Sequence, residues 1–240
     1  MSVPNSSLVS EQVFATLLEA LLAGRYAPGE KLPRQRELAA DLGVTLGSLR
    51  EALKRLEQMG LVEVRHGDAT RVRDWRSSGG LDVLAHLLFR GGTVDRGVLE
   101  DILEARTLML RELAGLAATR RTADQAAELD RLAAEFATHP DDAAAAAHVD
   151  FAFFTAVTAA AGNLVFVLIL NAIRDLYLGH VALVPVTAQP RELAPLYADL
   201  AAAIERRDDG GARATAADLA GRQRDLVAAA LDSLLGPAGG

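Results

Sequence analysis

The amino-acid sequence predicts two domains: an N-terminal winged helix-turn-helix (α+β) of residues 1–73, followed by an all-α antiparallel helical bundle. Three observations predict this fold. The 240 residues are rich in Ala and Leu and only 5% aromatic, a composition that favours helices. The first 73 residues show helix, helix-turn-helix and hairpin patterns in that order. From residue 81 onward, almost every segment repeats its apolar residues with the period of a helix.

Three helices are predicted in the first domain. Apolar residues of segment 8–22 form one helical stripe, and Gly24 ends it. After a turn in "RYAPGEKL", a second helix begins at Pro33 and stops at Gly43. A third helix is expected over 45–59, with Thr45 as its N-cap and Gly60 closing it.

A β-hairpin is predicted next. "LVEVRHGDATRV" places Val62 and Val64 on one arm and Thr70 and Val72 on the other, with the bend at 66–68. This hairpin is the wing that completes a winged helix-turn-helix.

The polar, glycine-ended stretch "RDWRSSGG" predicts a linker over 74–80. The second domain is then expected over 81–235, without any strand. Its predicted helices cover residues 82–90, 95–119, 123–138, 142–161, 164–184, 191–207 and 210–235. Gly91-Gly92 is expected to break the first of these helices from the second, and Thr122, with Gln125 three residues later, to cap the third.

Composition and charge restrict the function further. The chain has no cysteine, no signal-peptide pattern at its start and no apolar run long enough to span a bilayer, so we expect a cytoplasmic protein without membrane contact. The net charge of −7 is unevenly distributed. Residues 1–76 carry eleven Lys/Arg and ten Asp/Glu, whereas the remainder carries 14 and 22. Long-range attraction to DNA is therefore expected to be weak.

The third helix of a winged helix-turn-helix enters the major groove by its N-terminal turn. Helical spacing turns the apolar side chains of this helix toward the core, which leaves Thr45, Gly47, Ser48 and Arg50 facing outward. Further donors are expected from the second helix and the wing, namely Arg36, Arg65, His66, Thr70 and Arg71. Each of these residues taken singly is also compatible with a solvated surface position.

The stretch "LPRQRELAADLGVTLGSLREALKRLEQMGLVEVRHGDATRV" resembles the DNA-binding domain of the GntR superfamily, over about residues 8–73. The resemblance implies a homodimeric transcription regulator that binds a double-stranded DNA operator with two half-sites. The DNA-binding residues that it implies are Arg36, Thr45, Leu46, Gly47, Ser48, Arg50, His66, Gly67 and Thr70. Leu46 stands where the family usually has Arg, and Asp68 where the FadR-type wing has Lys. Since an Arg–guanine pair gives about 1–3 kcal/mol of discrimination, we expect an altered operator.

The stretch "HVDFAFFTAVTAAAGNLVFVLILNAIRDLY" resembles the all-helical ligand-binding domain of the FadR subfamily. Most members of that group bind a divalent metal through one Asp and three His. Asp150 matches this pattern, but Phe154 replaces one His, and Tyr197 and Arg222 align with the other two. A lone carboxylate without imidazoles does not hold zinc-like ions tightly, so no metal and no other cofactor is predicted.

The acyl-CoA-responsive members of this subfamily also lack the metal site, and "HGDATRVRDWRSSGGLDVL" and "LILNAIRDLY" are similar to their sequences. The resemblance implies a long-chain acyl-CoA or related lipid-derived effector. The ligand-binding residues that it implies are Arg106, Phe154, Asn171, Tyr177, Tyr197 and Gly221. A buried Arg106 would need an anionic partner, and nearby Phe residues (151, 153, 154 and 166) would wall an apolar tunnel. Alternatively, Arg106 pairs with a structural Glu and these Phe residues are ordinary core.

Two other functions compete with this prediction. One is a metal-independent regulator that senses a small metabolite acid. The other is an enzyme in which a helical catalytic domain is fused to an adaptor. The sequence shows no Gly-rich phosphate loop, no nucleophile with a paired base and no metal cluster, so no catalytic residue is predicted.

Overall fold

A computed structural model of the chain describes residues 6–65, 70–179 and 190–235. Its backbone divides into two units, Met1–Val98 and Leu99–Gly240. None of the helices in the described ranges is both long and apolar enough to cross a membrane.

The first unit begins with three helices, α1 (Ser6–Leu22), α2 (Gln35–Asp41) and α3 (Leu46–Gln58). Gly43 makes the turn between α2 and α3 with a φ of +66°, a conformation that glycine adopts without strain. Thr45 caps α3 as predicted, since its side chain accepts a hydrogen bond from the Ser48 amide at 3.2 Å. The three helices bury their apolar faces in one core, which includes Phe14, Leu38 and Leu53.

The wing is a short antiparallel hairpin of β1 (Val62–Glu63) and β2 (Arg71–Val72), in which Val62 pairs with Val72. The loop at 29–32, predicted only as a turn, lies along the other side of β2. Here the Gly29 amide donates to the Val72 carbonyl, and the backbone of Lys31 pairs with that of Arg71 in an isolated antiparallel β-bridge. The bend of the wing, predicted at 66–68, lies outside the described residues.

The segment after the wing is folded onto the first unit. It forms α4 (Trp75–Ser78), a 3₁₀ turn (Leu81–Val83) and α5 (Leu84–Leu88). Asp74 caps α4, and Val83 and Leu87 are buried in the core of the first unit. The structure thus divides the chain at residue 98, later than the linker expected over 74–80.

A second hairpin, β3 (Phe89–Arg90) and β4 (Thr93–Val94), follows α5. The expectation of no strand after residue 81 is therefore wrong. Gly91 and Gly92, which the sequence suggested as a helix break, both have positive φ (57° and 78°). Two such residues in succession form the tight turn that joins hairpin strands.

The second unit is all-helical. Its helices are α6 (Arg96–Arg120, which begins in the first unit), α7 (Ala123–Ala137), α8 (Ala143–Ala160), α9 (Leu164–Gly179), α10 (Pro190–Glu205) and α11 (Asp209–Leu235). Thr122 and Gln125 form the predicted cap of α7. Helix α7 packs against α8 and α10, and α10 packs against α11. The largest buried side chains of this core include Phe136, Phe153 and Tyr197.

Candidate functional site

The outward face of α2 and α3 carries two exposed arginines. Arg36 lies on α2, and Arg50 lies on the first turns of α3 beside exposed Thr45 and Gly47. Neither guanidinium forms an ion pair with a carboxylate in the described part of the chain. Within the described residues Arg50 makes one hydrogen bond, in which its Nε donates to Oε1 of Gln35 at 3.2 Å. Both side chains are thus available to phosphate oxygens or guanine edges.

Lys54 extends this face and was missed by the sequence reasoning. It is exposed and lies four residues after Arg50, one turn further along α3. Residues spaced by four lie on the same side of a helix, and this spacing was the signal available in the sequence. Arg36, Arg50 and Lys54 are called the basic face below.

Three other predicted DNA-binding residues turn inward. Ser48 is only 3% exposed, and its hydroxyl lies 3.1 Å from that of Thr45, so the expectation that it faces outward is wrong. The N-cap explains this, because Thr45 bonds to both the amide and the hydroxyl of Ser48. Thr70 is buried, its hydroxyl has no hydrogen-bond partner among the described residues, and Leu46 packs partly against the core. His66 and Gly67 lie outside the described residues.

Helix α3 is held against α1 by a charged contact. Arg55 donates hydrogen bonds to Glu11, and its guanidinium lies 3.8 Å from the centre of the Phe14 ring. The hydrogen bond from Arg55 holds the pKa of Glu11 below its ordinary value. This contact fixes the C-terminal half of α3 from the side that packs on α1, while Arg50 and Lys54 of the basic face are exposed on the same helix.

The second unit contains a buried polar cluster of Asp150, Tyr197, Gln223 and Arg106. Asp150 is fully buried, and its Oδ1 accepts hydrogen bonds from the Tyr197 hydroxyl and, at 3.1 Å, from the Gln223 amide. Arg106 donates to Oε1 of Gln223, and its Nη2 lies 3.5 Å from Asp150 Oδ1. The buried carboxylate is therefore compensated by one cation and two neutral donors.

Aromatic rings surround the polar cluster. The Arg106 guanidinium lies 4.4 Å from the centre of the Phe154 ring. Tyr197 stacks on Phe136 at 4.1 Å and meets the edge of Phe153 at 5.0 Å. Arg106 Nη2 is buried within this setting, 3.5 Å from Asp150 Oδ1, and forms no hydrogen bond with any described residue. A buried donor without a partner is costly, so this atom is a position where a ligand oxygen would be stabilised.

The polar cluster does not fit a divalent metal. Asp150 is its only carboxylate, Phe154 offers no donor atom, and a guanidinium 3.5 Å from the carboxylate would repel a second cation. No group of three or more His, Cys, Asp or Glu side chains suited to a metal occurs within the described ranges.

Gln223, and not Arg222, is the α11 residue of this site. Arg222 is half exposed and pairs with Glu192 at the surface. The alignment of Arg222 with a ligand position is therefore wrong by one residue. The signal that would have corrected it is helical spacing, because Leu219, Gln223 and Val227 repeat every four residues and are all buried.

The structure brings some of the predicted ligand residues together and places others apart from them. Arg106, Phe154 and Tyr197 come together in or beside the polar cluster. Gly221 is partly exposed on α11, and a Cβ atom there would meet no atom within 4 Å. Asn171 is exposed on α9, where it accepts a hydrogen bond from Arg174 at 2.7 Å. The Tyr177 side chain is outside what the structure describes.

Two family models match the chain. Residues 9–72 match the bacterial regulatory proteins of the gntR family, and residues 101–222 match the FCD domain. The HTH-type transcriptional regulator Mce2R of Mycobacterium tuberculosis is 41% identical over 212 residues, which are 88% of both chains. The fatty acid metabolism regulator protein of Edwardsiella ictaluri is 34% identical over 161 residues, which are 67% of this chain and 66% of that protein.

Solved structures with the same fold are more distant in sequence. Lar of Listeria monocytogenes is similar with a TM-score of 0.58 and 16% identity, over 92% of this chain and 96% of that one. McbR/YncC of E. coli has a TM-score of 0.52 and 21% identity, over 93% of this chain and 98% of that one. These similarities confirm the predicted order of a winged helix-turn-helix and a helical domain.

Proposed function

Since the chain belongs to the gntR family of bacterial regulatory proteins and carries an FCD domain, we propose that it is a cytoplasmic homodimer whose binding to an operator of two half-sites is modulated by a long-chain acyl-CoA or related lipid-derived effector. Family membership itself makes the chain a transcription regulator and not an enzyme. The relative named fatty acid metabolism regulator protein supports a lipid-derived effector.

The basic face is the observation that supports the DNA-binding part of the proposal. It presents three cations on the helix-turn-helix without carboxylate partners in the described residues, although the N-terminal 76 residues have a net charge near zero. Such a small reading surface gives useful affinity only when two copies bind two half-sites. The wing arginines add less, because Arg65 pairs with Glu63 at 3.0 Å.

Arg36→Ala and Arg50→Ala test this surface. Each variant is expected to lose operator binding at physiological salt while its helix content stays unchanged, because each removes a charged contact to DNA. Arg111→Ala is the matched control, since it removes an exposed arginine of the second unit. Titrations with a duplex selected by the unmodified protein from a randomised pool provide the measurement. Parental affinity in both Arg36→Ala and Arg50→Ala would disprove the assigned surface.

Arg106 is the observation that supports the effector part. Its buried Nη2 lies 3.5 Å from Asp150 Oδ1 but forms no hydrogen bond with the described residues, so it suits a carbonyl or phosphate oxygen of the effector, both of which an acyl-CoA contains. The ring of Phe154 beneath the guanidinium supplies apolar surface beside it.

A small metabolite acid is the second candidate effector. Phe136, Phe153 and Tyr197 pack closely on one another and fill the centre of the bundle. A long acyl chain at the polar cluster would require these rings to move, whereas a small carboxylate would not. This packing favours the smaller ligand.

Calorimetric titration of the full-length protein separates the two effectors. With acyl-CoAs of about 12 to 18 carbons, affinity is expected to rise with chain length, because each buried CH₂ adds about 0.8 kcal/mol. Arg106→Ala is expected to weaken binding by about 10- to 100-fold, and Arg111→Ala to leave it unchanged. Heat with short carboxylic acids but none with any acyl-CoA would favour the small-acid regulator.

A further inference from the structure

We propose that Gln35 is a positioning residue for DNA binding, which holds the Arg50 side chain in its outward orientation without neutralising its charge. This inference rests on the proposed function, since it takes Arg50 to be a DNA-contacting residue. The contact joins the two helices of the helix-turn-helix across 15 residues of sequence.

Gln35 lies at a fixed point of the backbone. It is the first residue of α2, whose N-terminus is closed by the Arg34 amide donating to Glu37 at 3.3 Å. Leu38, one turn further along α2, is buried in the core. The amide of Gln35 is partly buried beside α3, so it offers Arg50 an acceptor whose position is set by helix packing.

The hydrogen bond between Gln35 and Arg50 leaves the two terminal amino groups of Arg50 available to DNA. The acceptor Oε1 takes the Nε–H of the guanidinium at 3.2 Å. Arg50 makes no other hydrogen bond or ion pair in the described part of the chain, so both of its terminal amino groups stay available. Those two groups form the fork that binds a guanine edge or a phosphate in two places. Ordering a free arginine on binding would lower affinity by a few fold to about tenfold, and this loss is avoided.

The neutrality of the Gln35 amide matters as much as its position. A carboxylate at the same place would pair with the guanidinium and add a negative charge beside the DNA phosphates. Because the acceptor is an amide, Arg50 keeps its full charge next to Arg36 and Lys54. This is important in a domain with little net positive charge, where local cations provide most of the attraction to phosphate.

A double-mutant cycle tests the positioning role. The full-length Gln35→Ala, Arg50→Ala and doubly substituted proteins are titrated against the selected duplex, at a fixed salt low enough for Arg50→Ala still to bind. We expect Gln35→Ala to bind about three- to tenfold more weakly than the parent and to add no further loss to Arg50→Ala. Gln58→Ala, a matched change at the exposed end of α3, is expected to bind like the parent.

Gln35→Glu separates orientation from charge. The acceptor oxygen remains, but one negative charge is added, so the slope of log affinity against log salt is expected to fall in magnitude by about one. Gln35→Ala changes no charge, so it is expected to keep the parental slope. A merely structural role of Gln35 would also leave the slope unchanged, so the slope of this variant does not separate the two roles. The cycle supplies that distinction, because a structural loss would persist in the Arg50→Ala background.

The inference is overturned if Gln35→Ala binds like the parent, or if its loss is undiminished when Arg50 is absent. Its failure differs from failure of the proposed function. Parental binding by Arg50→Ala with loss in Arg36→Ala would remove the positioning role and leave the DNA surface in place. Parental binding by both arginine variants would remove the surface itself.

Discussion

Asp150 is a buried carboxylate whose charge is balanced by side chains of this chain itself. It receives hydrogen bonds from Tyr197 and Gln223, and the Arg106 guanidinium supplies the opposite charge. Removing one partner of such a pair leaves an uncompensated buried charge, which is strongly destabilising. Arg106 therefore occupies the electrostatic role that a bound cation would otherwise have at this carboxylate.

The same geometry leads to a prediction about metal content. The protein as purified is expected to contain less than about one-tenth equivalent of Zn, Ni or Mn, because Phe154 and Arg106 leave no site with several nitrogen ligands. Elemental analysis measures this directly. Stoichiometric metal that is lost in Asp150→Ala would contradict it.

A gain of metal tests the residue register of the polar cluster. Phe154→His, Tyr197→His and Gln223→His together would place three imidazoles around Asp150, and Arg106→Ala in the same variant would remove the guanidinium that repels a cation there. This variant is expected to bind zinc, whereas a control with Arg222→His in place of Gln223→His is not, because Arg222 faces Glu192 at the surface. Equal zinc in the two variants would show that the assignment of Gln223 is wrong.

The orientation of single residues in the basic face and the polar cluster could be predicted only where one kind of interaction decides it. The exposure of Arg36 and Arg50 was predictable because charged side chains remain in water, while their contact with DNA stays a prediction. Ser48 was wrongly expected to face outward because its hydroxyl bonds to that of the N-cap residue Thr45 and not to water. The spacing of apolar residues in the sequence gives no sign of this hydrogen bond. Gln223 was missed because a polar residue at a core position is stabilised by partners on other helices, which the sequence of α11 does not show.

At the scale of elements, the end of α3 is joined to α4 by a close backbone approach. A Cβ atom on Gly60 would lie 2.1 Å from the carbonyl oxygen of Ser78, and the Ser78 hydroxyl donates to the Gly60 carbonyl at 2.7 Å. Gly60 also has a φ of +73°. The glycine predicted only as a helix stop therefore has a second role, since it allows α4 to pack directly on the helix end.

Gly60→Ala and Gly24→Ala separate these two roles. Both glycines have a φ of +73°, but a Cβ on Gly24 would meet nothing within 4 Å. Gly24→Ala is expected to cost about 1 kcal/mol in unfolding free energy from backbone strain alone. Gly60→Ala is expected to cost at least ~3 kcal/mol, because a backbone oxygen must also move. Urea unfolding of both variants gives the comparison, and equal losses would show that the approach to Ser78 is not restrictive.

Elements were predictable from the sequence to the extent that local signals specify them. The caps at Thr45 and Thr122 and the helical periods predicted α3 and α7 well, since these signals act within one turn of chain. The pairing of the loop at 29–32 with β2 was not predictable, because it joins segments about forty residues apart. The hairpin at Gly91 and Gly92 was missed because two glycines serve equally as a helix break and as a hairpin turn.

At the scale of the whole molecule, charge and function are divided between the halves of the sequence. Most of the net negative charge lies beyond residue 76, so the full chain attracts DNA weakly at long range. Under the proposed function, specific contacts of the basic face are expected to provide the affinity, and an effector that changes how two such faces meet the operator is expected to have a large influence. The domain boundary could be predicted only approximately, because the segment after the wing reads as a linker by composition but folds onto the first unit.

Effector and operator binding are therefore expected to be coupled. An effector held by the second unit weakens DNA binding only if it binds one arrangement of the dimer better than another. We expect a long-chain acyl-CoA to lower the operator affinity of the full-length protein by roughly 5- to 150-fold, which corresponds to a coupling free energy of about 1–3 kcal/mol. Operator titrations with and without the acyl-CoA measure this, at one fixed salt concentration because phosphate contacts make affinity steeply salt-dependent. Arg106→Lys keeps a positive charge beside buried Asp150 but loses the guanidinium, so its ligand-free affinity for the operator is expected to be parental while the shift is reduced, and Arg111→Ala is expected to keep both. If acyl-CoA binds with measurable heat but leaves operator affinity unchanged in the parent, the two functions are uncoupled and the effector proposal fails even though the ligand site exists.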